Sequence, residues 1–299
     1  MNTSELVDIE SLLPKMEAFV RTLYHVTLDF EIKPKKQHIA TCIDYNDLLQ
    51  LRPEFTKELL SSVTRFVYSR AKSKEIVKAL VAEHELEDAY NLLTQQAKDK
   101  FRPYSVQGQF SELLLFNLLQ YHFRAVPLIR KMKITTNVQL ERNGADAIHI
   151  GTVNEKYVLY LGEAKTYTSG FKKALKSALS SVYDTFSKHR NELNLYKYED
   201  FLEQDLQEIA TKYINNEPLE LEVHMVCIVT FCVGAIIVGE NREATIAKFI
   251  QTLQDEIADI KESDYPDIPE AILGRINYIF MPVDNLQSLL DDFKTKLGI

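Results

Sequence analysis

The stretch Asn143-Gly-Ala-Asp-Ala-Ile-His-Ile-Gly-Thr-Val-Asn-Glu-Lys-Tyr-Val-Leu-Tyr-Leu-Gly-Glu-Ala-Lys165 decides the fold of this chain. It contains two apolar segments, residues 145–150 and 157–162, which are joined by a polar segment at residues 151–156. Two short apolar runs separated by a polar, turn-forming segment are typical of an antiparallel hairpin. We therefore expect two neighbouring strands here.

The register of this hairpin brings acidic side chains together. With the turn centred between Asn154 and Glu155, Asp146 and Glu163 are direct cross-strand neighbours with Cβ atoms roughly 5 Å apart. Lys165 lies two residues beyond Glu163, so strand alternation places it on the same face of the sheet. Two facing carboxylates repel each other unless a positive group separates them. We therefore predict that Asp146, Glu163 and Lys165 form a site for a divalent cation beside a phosphate.

Length and composition indicate a protein with a substantial core. The chain has 299 residues, of which 45% are apolar, enough for one large domain or two ordinary ones. Its cysteines, Cys42, Cys227 and Cys232, are odd in number and lack metal-ligand spacing, which favours free thiols in a reducing compartment. The N-terminus lacks the basic segment of a signal peptide. The most apolar run, residues 225–238, is shorter than the about 20 residues that a membrane helix needs, so we expect a cytoplasmic protein without membrane contact.

The basic side chains are concentrated in the middle third of the chain. The whole chain has a net charge of −8, which argues against a protein that coats nucleic acid. Residues 101–200 nevertheless carry 14 basic and 9 acidic side chains, a net charge of +5, whereas residues 201–299 carry 7 basic and 18 acidic ones, a net charge of −11. A basic segment around the acidic pair is consistent with a polyanion bound at one face. Alternatively, the charged residues of an ordinary solvated surface are distributed unevenly along the chain by chance.

Periodicity of the apolar residues predicts further helices and strands around the hairpin. The predicted helices are residues 45–68 with a break at Pro53, 74–83, 86–101, 106–123 with Ser105 as N-cap, 171–190, 198–214, 242–260 and 285–296. The predicted strands outside the hairpin are residues 19–30, 38–43, 133–141, 223–232 and 277–281. The helix at 106–123 is apolar on all sides over residues 113–116, so it should be buried. The expected fold is α/β, a mixed central sheet flanked by helices.

This order of elements and four of its residues resemble the PD-(D/E)XK, or restriction-endonuclease-like, nuclease superfamily. There the first helix often carries an acidic residue, matched by Glu112, the second strand carries an Asp, matched by Asp146, and the third carries Glu-x-Lys, matched by Glu163 and Lys165. Ala145 stands where the superfamily usually has proline. A glutamine that some exonuclease branches carry on the next helix is also missing, so no exonuclease subtype follows. The resemblance places the nuclease domain at residues 101–299, after a mixed, mainly helical N-terminal region at residues 1–100.

More narrowly, three phrases resemble HamA, the nuclease family of the Hachiman antiphage defence system. They are Gln109-Phe-Ser-Glu-Leu113, Gly144-Ala-Asp-Ala-Ile-His149 and Tyr160-Leu-Gly-Glu-Ala-Lys165. The resemblance is strongest over roughly residues 105–185. It implies a metal-dependent DNA endonuclease in a heteromeric complex with a helicase subunit like HamB. That partner would keep the nuclease inactive until it senses aberrant DNA.

The chemistry of phosphodiester hydrolysis suggests a role for each site residue. Hard carboxylate oxygens favour Mg²⁺ or Mn²⁺, so we expect Asp146 and Glu163 to be metal ligands, with the backbone carbonyl of Ala164 as a third. Lys165 would orient the attacking water or stabilise the transition state. Glu112 would support a second metal ion or position that water, and one-metal and two-metal mechanisms both stay open.

Three lysines follow the site at the start of a predicted helix. Lys172, Lys173 and Lys176 could contact the phosphate backbone of DNA. A solvated helix face without contact to nucleic acid explains the same pattern, because charged residues usually line exposed helix faces. Contact with DNA and a solvated helix face therefore explain these three lysines equally well.

Other readings of the motif exist. Glu-x-Lys alone has low specificity, since Glu31-Ile-Lys33 also matches it without an acidic hairpin. Asp146 could cap the Asn-Gly turn, with Glu163 and Lys165 at a solvated strand end. The same site could also belong to a sequence-specific restriction endonuclease, or to a catalytically inert scaffold or sensor subunit that keeps the nuclease fold. The acidic C-terminal third suits a surface for a protein partner or a DNA-mimicking, autoinhibitory face.

Overall fold

A computed structural model describes residues 7–130, 144–168, 170–195, 204–234 and 239–299, which form a sheet with helices on both faces. The strands are β1 Leu23–Asp29, β2 Gln37–Ile43, β3 Tyr45–Asn46, β4 Leu49–Gln50, β5 Val126–Ile129, β6 Ala147–Val153, β7 Lys156–Tyr167, β8 Leu221–Cys232 and β9 Ile276–Val283. The helices are α1 Ile9–Leu12, α2 Glu17–Val20, α3 Arg52–Ser61, α4 Val63–Val67, α5 Arg70–Leu80, α6 Leu86–Lys98, α7 Val106–His122, α8 Phe171–Leu195, α9 Gln207–Ile214, α10 Arg242–Ala258, α11 Glu270–Leu273 and α12 Leu286–Leu297.

The central sheet is mixed, as the sequence predicts. Its strand order across the described residues is β1-β2-β9-β8-β7-β6-β5. The strands β2, β9, β8 and β7 are parallel to their neighbours in that order, and the outer pairs β1–β2, β7–β6 and β6–β5 are antiparallel. The strand β8 lies between two parallel neighbours and is buried over most of its length. That burial on both faces explains its continuous apolar sequence.

The hairpin of β6 and β7 has the predicted register. Ala147 pairs with Gly162, and Val153 pairs with Lys156. The two turn residues, Asn154 and Glu155, have φ angles of 49° and 61°. Positive φ at both central residues is the requirement of a type I′ turn, whose twist matches that of the two strands. The local turn therefore sets the register that brings the acidic residues together.

Two apolar layers cover the sheet. The helix α7 packs on one face with α3 and α12, and α8 and α10 pack on the other. Gly162 lets α7 approach closely, because a Cβ at this position would lie 2.8 Å from Leu115 Cδ2 and 3.0 Å from Ala147 Cβ. Fully burying a leucine such as Leu115 or Leu119 stabilises the fold by roughly 1.5–3 kcal/mol. The apolar helix α7 is buried, as predicted.

The structure corrects the predicted helix at residues 45–68. Its first residues form the small hairpin of β3 and β4, and the helices α3 and α4 follow. Pro53 lies in the first turn of α3, where its missing N–H would have no partner in any case, so the predicted break is wrong. Ser105 precedes α7, but its side chain makes no capping hydrogen bond. The predicted strand at residues 19–30 begins only at Leu23, after the short helix α2.

Two predicted elements fall wholly or partly outside the described residues, and some observed elements were not predicted. The predicted strand at residues 133–141 and the first residues of the predicted helix at 198–214 lie outside the described residues. The strand β5, with four residues, pairs with β6 and was not predicted. Four residues are too few to show an alternating pattern. The single-turn helices α1 and α11 were missed for the same reason.

The N-terminal hundred residues contribute to the same sheet as the rest. The strand β2 pairs with β9, and the rings of Phe55 and Phe293 both contact Phe110, with centroid distances of 6.5 Å and 5.3 Å. The division into residues 1–100 and 101–299 stays a prediction. The three cysteines are free thiols, as predicted. No helix among the described residues combines the length and the apolar character that crossing a membrane requires.

Candidate active site

Asp146 lies directly before β6 and is held against β7 by two hydrogen bonds. Its backbone N–H donates to the carbonyl oxygen of Gly162 at 2.9 Å. Its side-chain Oδ2 accepts a hydrogen bond of 2.8 Å from the backbone N–H of Ala164. The aspartate is therefore fixed beside the Glu163-Ala-Lys165 segment, as the hairpin register predicts.

Glu163 and Lys165 form an ion pair on one face of β7. The distance from Lys165 Nζ to Glu163 Oε1 is 2.6 Å, and the Glu163 side chain is 4% exposed while that of Lys165 is 25% exposed. Strand alternation puts both on the same face. The alternative of a solvated strand end does not fit, because the Glu163 carboxylate is almost completely buried.

The electrostatics of the pair follow from burial and from Asp146. Burial and, to a lesser extent, the charge of Asp146 raise the pKa of Glu163 to about 7, because the charge of Lys165 and the hydrogen bonds from Lys165 and Ser181 compensate only in part. Burial by itself would lower the pKa of Lys165, but the charges of Glu163 and Asp146 outweigh it and raise that pKa. Lys165 is therefore a cation at neutral pH. Glu163 takes up a proton far more readily than an ordinary glutamate.

Ser181 on α8 is a site residue that sequence reasoning missed. Its hydroxyl hydrogen-bonds to Glu163 from the helix that follows the motif. Ala174, Ser177, Ala178 and Ser181 recur at the spacing i, i+3, i+4, i+7, which places them on one stripe of α8. Two serines on an otherwise apolar stripe are the sequence signal that could have found this residue.

Glu112 reaches the same cleft as Asp146. Both residues line a small cavity of about 20 Å³ together with Phe116, Arg130 and other side chains from α4, β5 and β6. A cavity of this size has room for about one water molecule. The structure therefore brings the acidic residue of the first helix to the hairpin, as the sequence predicts.

The position of α7 relative to β7 is fixed by side-chain hydrogen bonds. The Gln107 amide donates to the carbonyl oxygen of Thr166, and the Ser111 hydroxyl shares a hydrogen bond with the Thr166 hydroxyl. Thr166 is adjacent to Lys165 and its side chain lies on the opposite face of the strand. Since Ser111 precedes Glu112, these bonds set where Glu112 stands relative to the hairpin.

His149 packs in the core. Its Nδ1 lies 3.1 Å from the carbonyl oxygen of Ala125, and its ring meets Phe116 edge-on. Burial lowers the pKa of His149 to about 3, so the ring is neutral. His149 is therefore a packing residue in the wall of the small cavity.

The three predicted DNA-binding lysines are exposed on the first turns of α8. Lys172 forms an ion pair of 2.6 Å with Asp264, a residue of the loop before α11. The Nζ of Lys173 lies 5.9 Å from the ring centroid of Tyr167. Lys176 contributes to the field that lowers the pKa of Asp264. Contact of these lysines with DNA stays a prediction, and Lys172 would have to exchange Asp264 for a phosphate.

The donor set fits magnesium better than zinc. Within the described ranges, no group of three or more His, Cys, Asp or Glu side chains is arranged to hold a metal ion. Mg²⁺ keeps several waters and is bound through one or two carboxylates, whereas zinc sites use three or four protein ligands. Asp146 and Glu163 supply two carboxylates, and burial together with the repulsion between them raises the pKa of Glu163. A cation between them would relieve that repulsion, so these residues fit a divalent ion.

Comparison with known families covers almost the entire chain. A family model described as HamA matches residues 17–297. No curated protein matches the chain. The matched range includes α7, the hairpin of β6 and β7, and α8, so it contains all the elements that form the candidate site. The chain therefore belongs to the HamA family and is a component of the Hachiman antiphage defence system.

Proposed function

We propose that the chain is a metal-dependent DNA endonuclease with a PD-(D/E)XK active site made of Asp146, Glu163 and Lys165, supported by Glu112. The observation that carries the proposal is the ion pair of Lys165 with Glu163, a nearly buried carboxylate whose pKa is raised by burial and by the charge of Asp146. Burying repelling carboxylates costs stability and contributes nothing to packing. An inert scaffold would have no reason to keep this arrangement, whereas a hydrolytic site needs it.

The carboxylates of Asp146 and Glu163, with the backbone carbonyl of Ala164 as a third ligand, would hold Mg²⁺ or Mn²⁺. Such an ion would lower the pKa of a bound water molecule and neutralise negative charge on the phosphate. Asp146 is kept in place for this task by its hydrogen bond to the Ala164 N–H. Ser181 on α8 orients Glu163 through its hydrogen bond to the carboxylate.

Lys165 supplies positive charge to the reacting phosphate. Its ammonium group is protonated at neutral pH and lies partly exposed beside Glu163. There it can donate hydrogen bonds to the attacking water or to a phosphate oxygen as charge develops in the transition state. Glu112, from α7, accepts a hydrogen bond from the attacking water or supports a second cation. Both roles require the cleft that Glu112 shares with Asp146.

A partner helicase would control this activity. Membership of the HamA family supports a heteromeric complex with a HamB-like subunit that keeps the nuclease inactive until aberrant DNA is present. Residues 201–299, with a net charge of −11, offer an acidic surface for that partner. Neutralising acidic residues there should weaken binding of the partner. Unchanged partner binding and unchanged basal cleavage would overturn this assignment.

Cleavage of supercoiled plasmid in Mg²⁺ or Mn²⁺ tests the proposed activity. We expect nicking or degradation that EDTA abolishes and that Lys165→Ala abolishes. The matched control is Lys156→Ala, which removes an exposed lysine from the same hairpin and should leave cleavage unchanged. Discrete bands would instead indicate a sequence-specific restriction endonuclease. A chain that stays inactive when the helicase partner and aberrant DNA are added contradicts the proposal.

A further inference from the structure

A second, larger cavity opens beside the candidate active site. It has a volume of about 390 Å³ and lies between α4, α5, α6 and the edge strand β5. The proposed hydrolysis does not require it. Its volume falls within the roughly 300–1,000 Å³ of typical small-molecule sites.

Arg130 connects this cavity to the cleft. Its side chain lines the larger cavity and also the small one that holds Glu112 and Asp146. The residue is 8% exposed, and its Nε donates a hydrogen bond of 2.8 Å to the carbonyl oxygen of Arg65. A fixed guanidinium group therefore forms a wall shared by both spaces. The larger cavity therefore adjoins the small cavity of Glu112 and Asp146, and Arg130 lies between them.

The charge of the cavity favours an anion. Its described lining includes the cationic residues Arg65, Arg70, Lys74 and Arg130, against one carboxylate, Asp205. The chain as a whole has a net charge of −8, so this concentration of cations opposes the general trend. Local positive potential of this kind attracts phosphate groups even on an acidic protein.

The rest of the lining suits a nucleobase. Tyr90 presents a side chain that is 55% exposed beside the buried Leu93 on α6, and Val126 and Pro127 of β5 add further apolar surface. Aromatic rings next to a basic groove are the usual platform for unpaired bases, because every base has a face that can stack. Cations and an aromatic platform in one cavity match a nucleoside phosphate.

We propose that this cavity is a nucleotide subsite that takes up one deoxynucleotide unit adjoining the scissile bond. Its phosphate would contact Arg130 and Lys74, and its base would stack on Tyr90. This inference rests on the proposed nuclease function, because the same DNA strand occupies the cleft. A base can enter the cavity only after it leaves the duplex. The preferred substrate is therefore DNA with an unpaired segment at the cleavage site.

Binding of a labelled single-stranded oligonucleotide to the full chain in EDTA tests the proposal without catalysis. Tyr90→Ala should weaken binding about tenfold, as expected for the loss of one stacked base, while Tyr90→Phe keeps the ring and should bind normally. Lys74→Ala should weaken binding severalfold and lower the salt dependence by about one phosphate contact. The matched control is Lys78→Ala, which removes an exposed lysine from the same helix α5 outside the cavity.

Competition distinguishes two sources of the nucleotide. If free deoxynucleoside monophosphate displaces the oligonucleotide and inorganic phosphate does not, the cavity also accepts a free nucleotide. If neither competes while the pocket variants weaken binding, it accepts the unit as part of a strand. Equal effects of Lys74→Ala and Lys78→Ala, or normal binding by Tyr90→Ala, would overturn the subsite. Because binding needs no hydrolysis, a failure of the nuclease proposal shows separately in the plasmid assay.

Discussion

Asp146 accepts a 2.8 Å hydrogen bond from the backbone N–H of Ala164, the residue between Glu163 and Lys165 on β7. Burial raises the pKa of Glu163, and the charge of the same Asp146 carboxylate adds to that effect. Asp146 therefore stabilises the hairpin through one interaction and destabilises it through another. Relief of repulsion alone would make any neutral substitution stabilising, whereas the hydrogen bond makes the outcome depend on the new side chain.

Asp146→Asn and Asp146→Ala should separate these two effects. Both variants remove the negative charge, but the asparagine oxygen can still accept the hydrogen bond from Ala164. We expect Asp146→Asn to exceed Asp146→Ala in free energy of unfolding by about 1–2 kcal/mol, because the alanine variant leaves a half-buried N–H unsatisfied. Urea denaturation in EDTA at pH 8 measures the difference. Equal stabilities would show that the hydrogen bond contributes nothing.

The raised pKa of Glu163 predicts a pH-dependent stability of the metal-free protein. An unfolded glutamate has a pKa near 4.3, whereas burial and the charge of Asp146 raise the pKa of Glu163 in the folded chain to about 7. Between these values the folded state holds a proton that the unfolded state has released, so the free energy of unfolding falls as pH rises. Glu163→Gln removes this loss. The variant should be more stable than the original by about 1–3 kcal/mol at pH 8 and should show no gain at pH 4.

The same denaturation curves in EDTA test this prediction at the two pH values. Asp184→Asn is a matched control, because Asp184 is an exposed carboxylate on α8 paired with Lys188. Its stability should change little with pH relative to the original chain. A gain for Glu163→Gln that is equal at pH 4 and pH 8 would contradict the assigned titration.

Gly162 should be intolerant of a side chain. A Cβ there would lie 2.8 Å from Leu115 Cδ2, so α7 or the hairpin would have to shift. We expect Gly162→Ala to lower the free energy of unfolding by about 1–3 kcal/mol. The control is Gly108→Ala on α7, where a Cβ meets nothing within 4 Å. That control should raise stability by about 0.5–1 kcal/mol, since alanine is the better helix former, and similar effects of the two variants would argue against the close packing.

The ion pair of Lys172 with Asp264 should restrain DNA binding. Asp264→Asn removes the partner and leaves Lys172 free to meet a phosphate. Binding of DNA by the metal-free chain should strengthen severalfold, and its salt dependence should steepen by about one phosphate contact. Asp267→Asn makes the same charge change at an exposed position of the same loop. If both variants bind DNA alike, Lys172 is not a specific phosphate contact.

The hairpin and its acidic pair could be predicted because they depend on local sequence. The turn at Asn154 and Glu155 fixes the register, and alternation along β7 then places Lys165 beside Glu163. A mixed sheet with a buried central strand follows in the same way from the long apolar run of β8. These features need no knowledge of distant contacts.

Other features depend on tertiary contacts that periodicity does not encode. Ser181 meets Glu163 only because α8 packs across β7, and Arg130 joins two cavities only because β5 lies at the edge of the sheet. The pKa of Glu163 is likewise a result of burial. The hairpin of β3 and β4 was mistaken for helix because its apolar spacing continues into that of α3.

The central claim is that Asp146 and Glu163 together form a divalent-cation site. Calorimetric titration of the purified chain with Mn²⁺ at pH 8 tests this directly, because it needs neither DNA nor release by a partner. We expect one binding event that is lost in Asp146→Asn and in Glu163→Gln, retained in Asp184→Asn, and weakened below pH 7 as Glu163 takes up its proton. Absence of Mn²⁺ binding, or equal binding by the original chain and both site variants, would contradict the account.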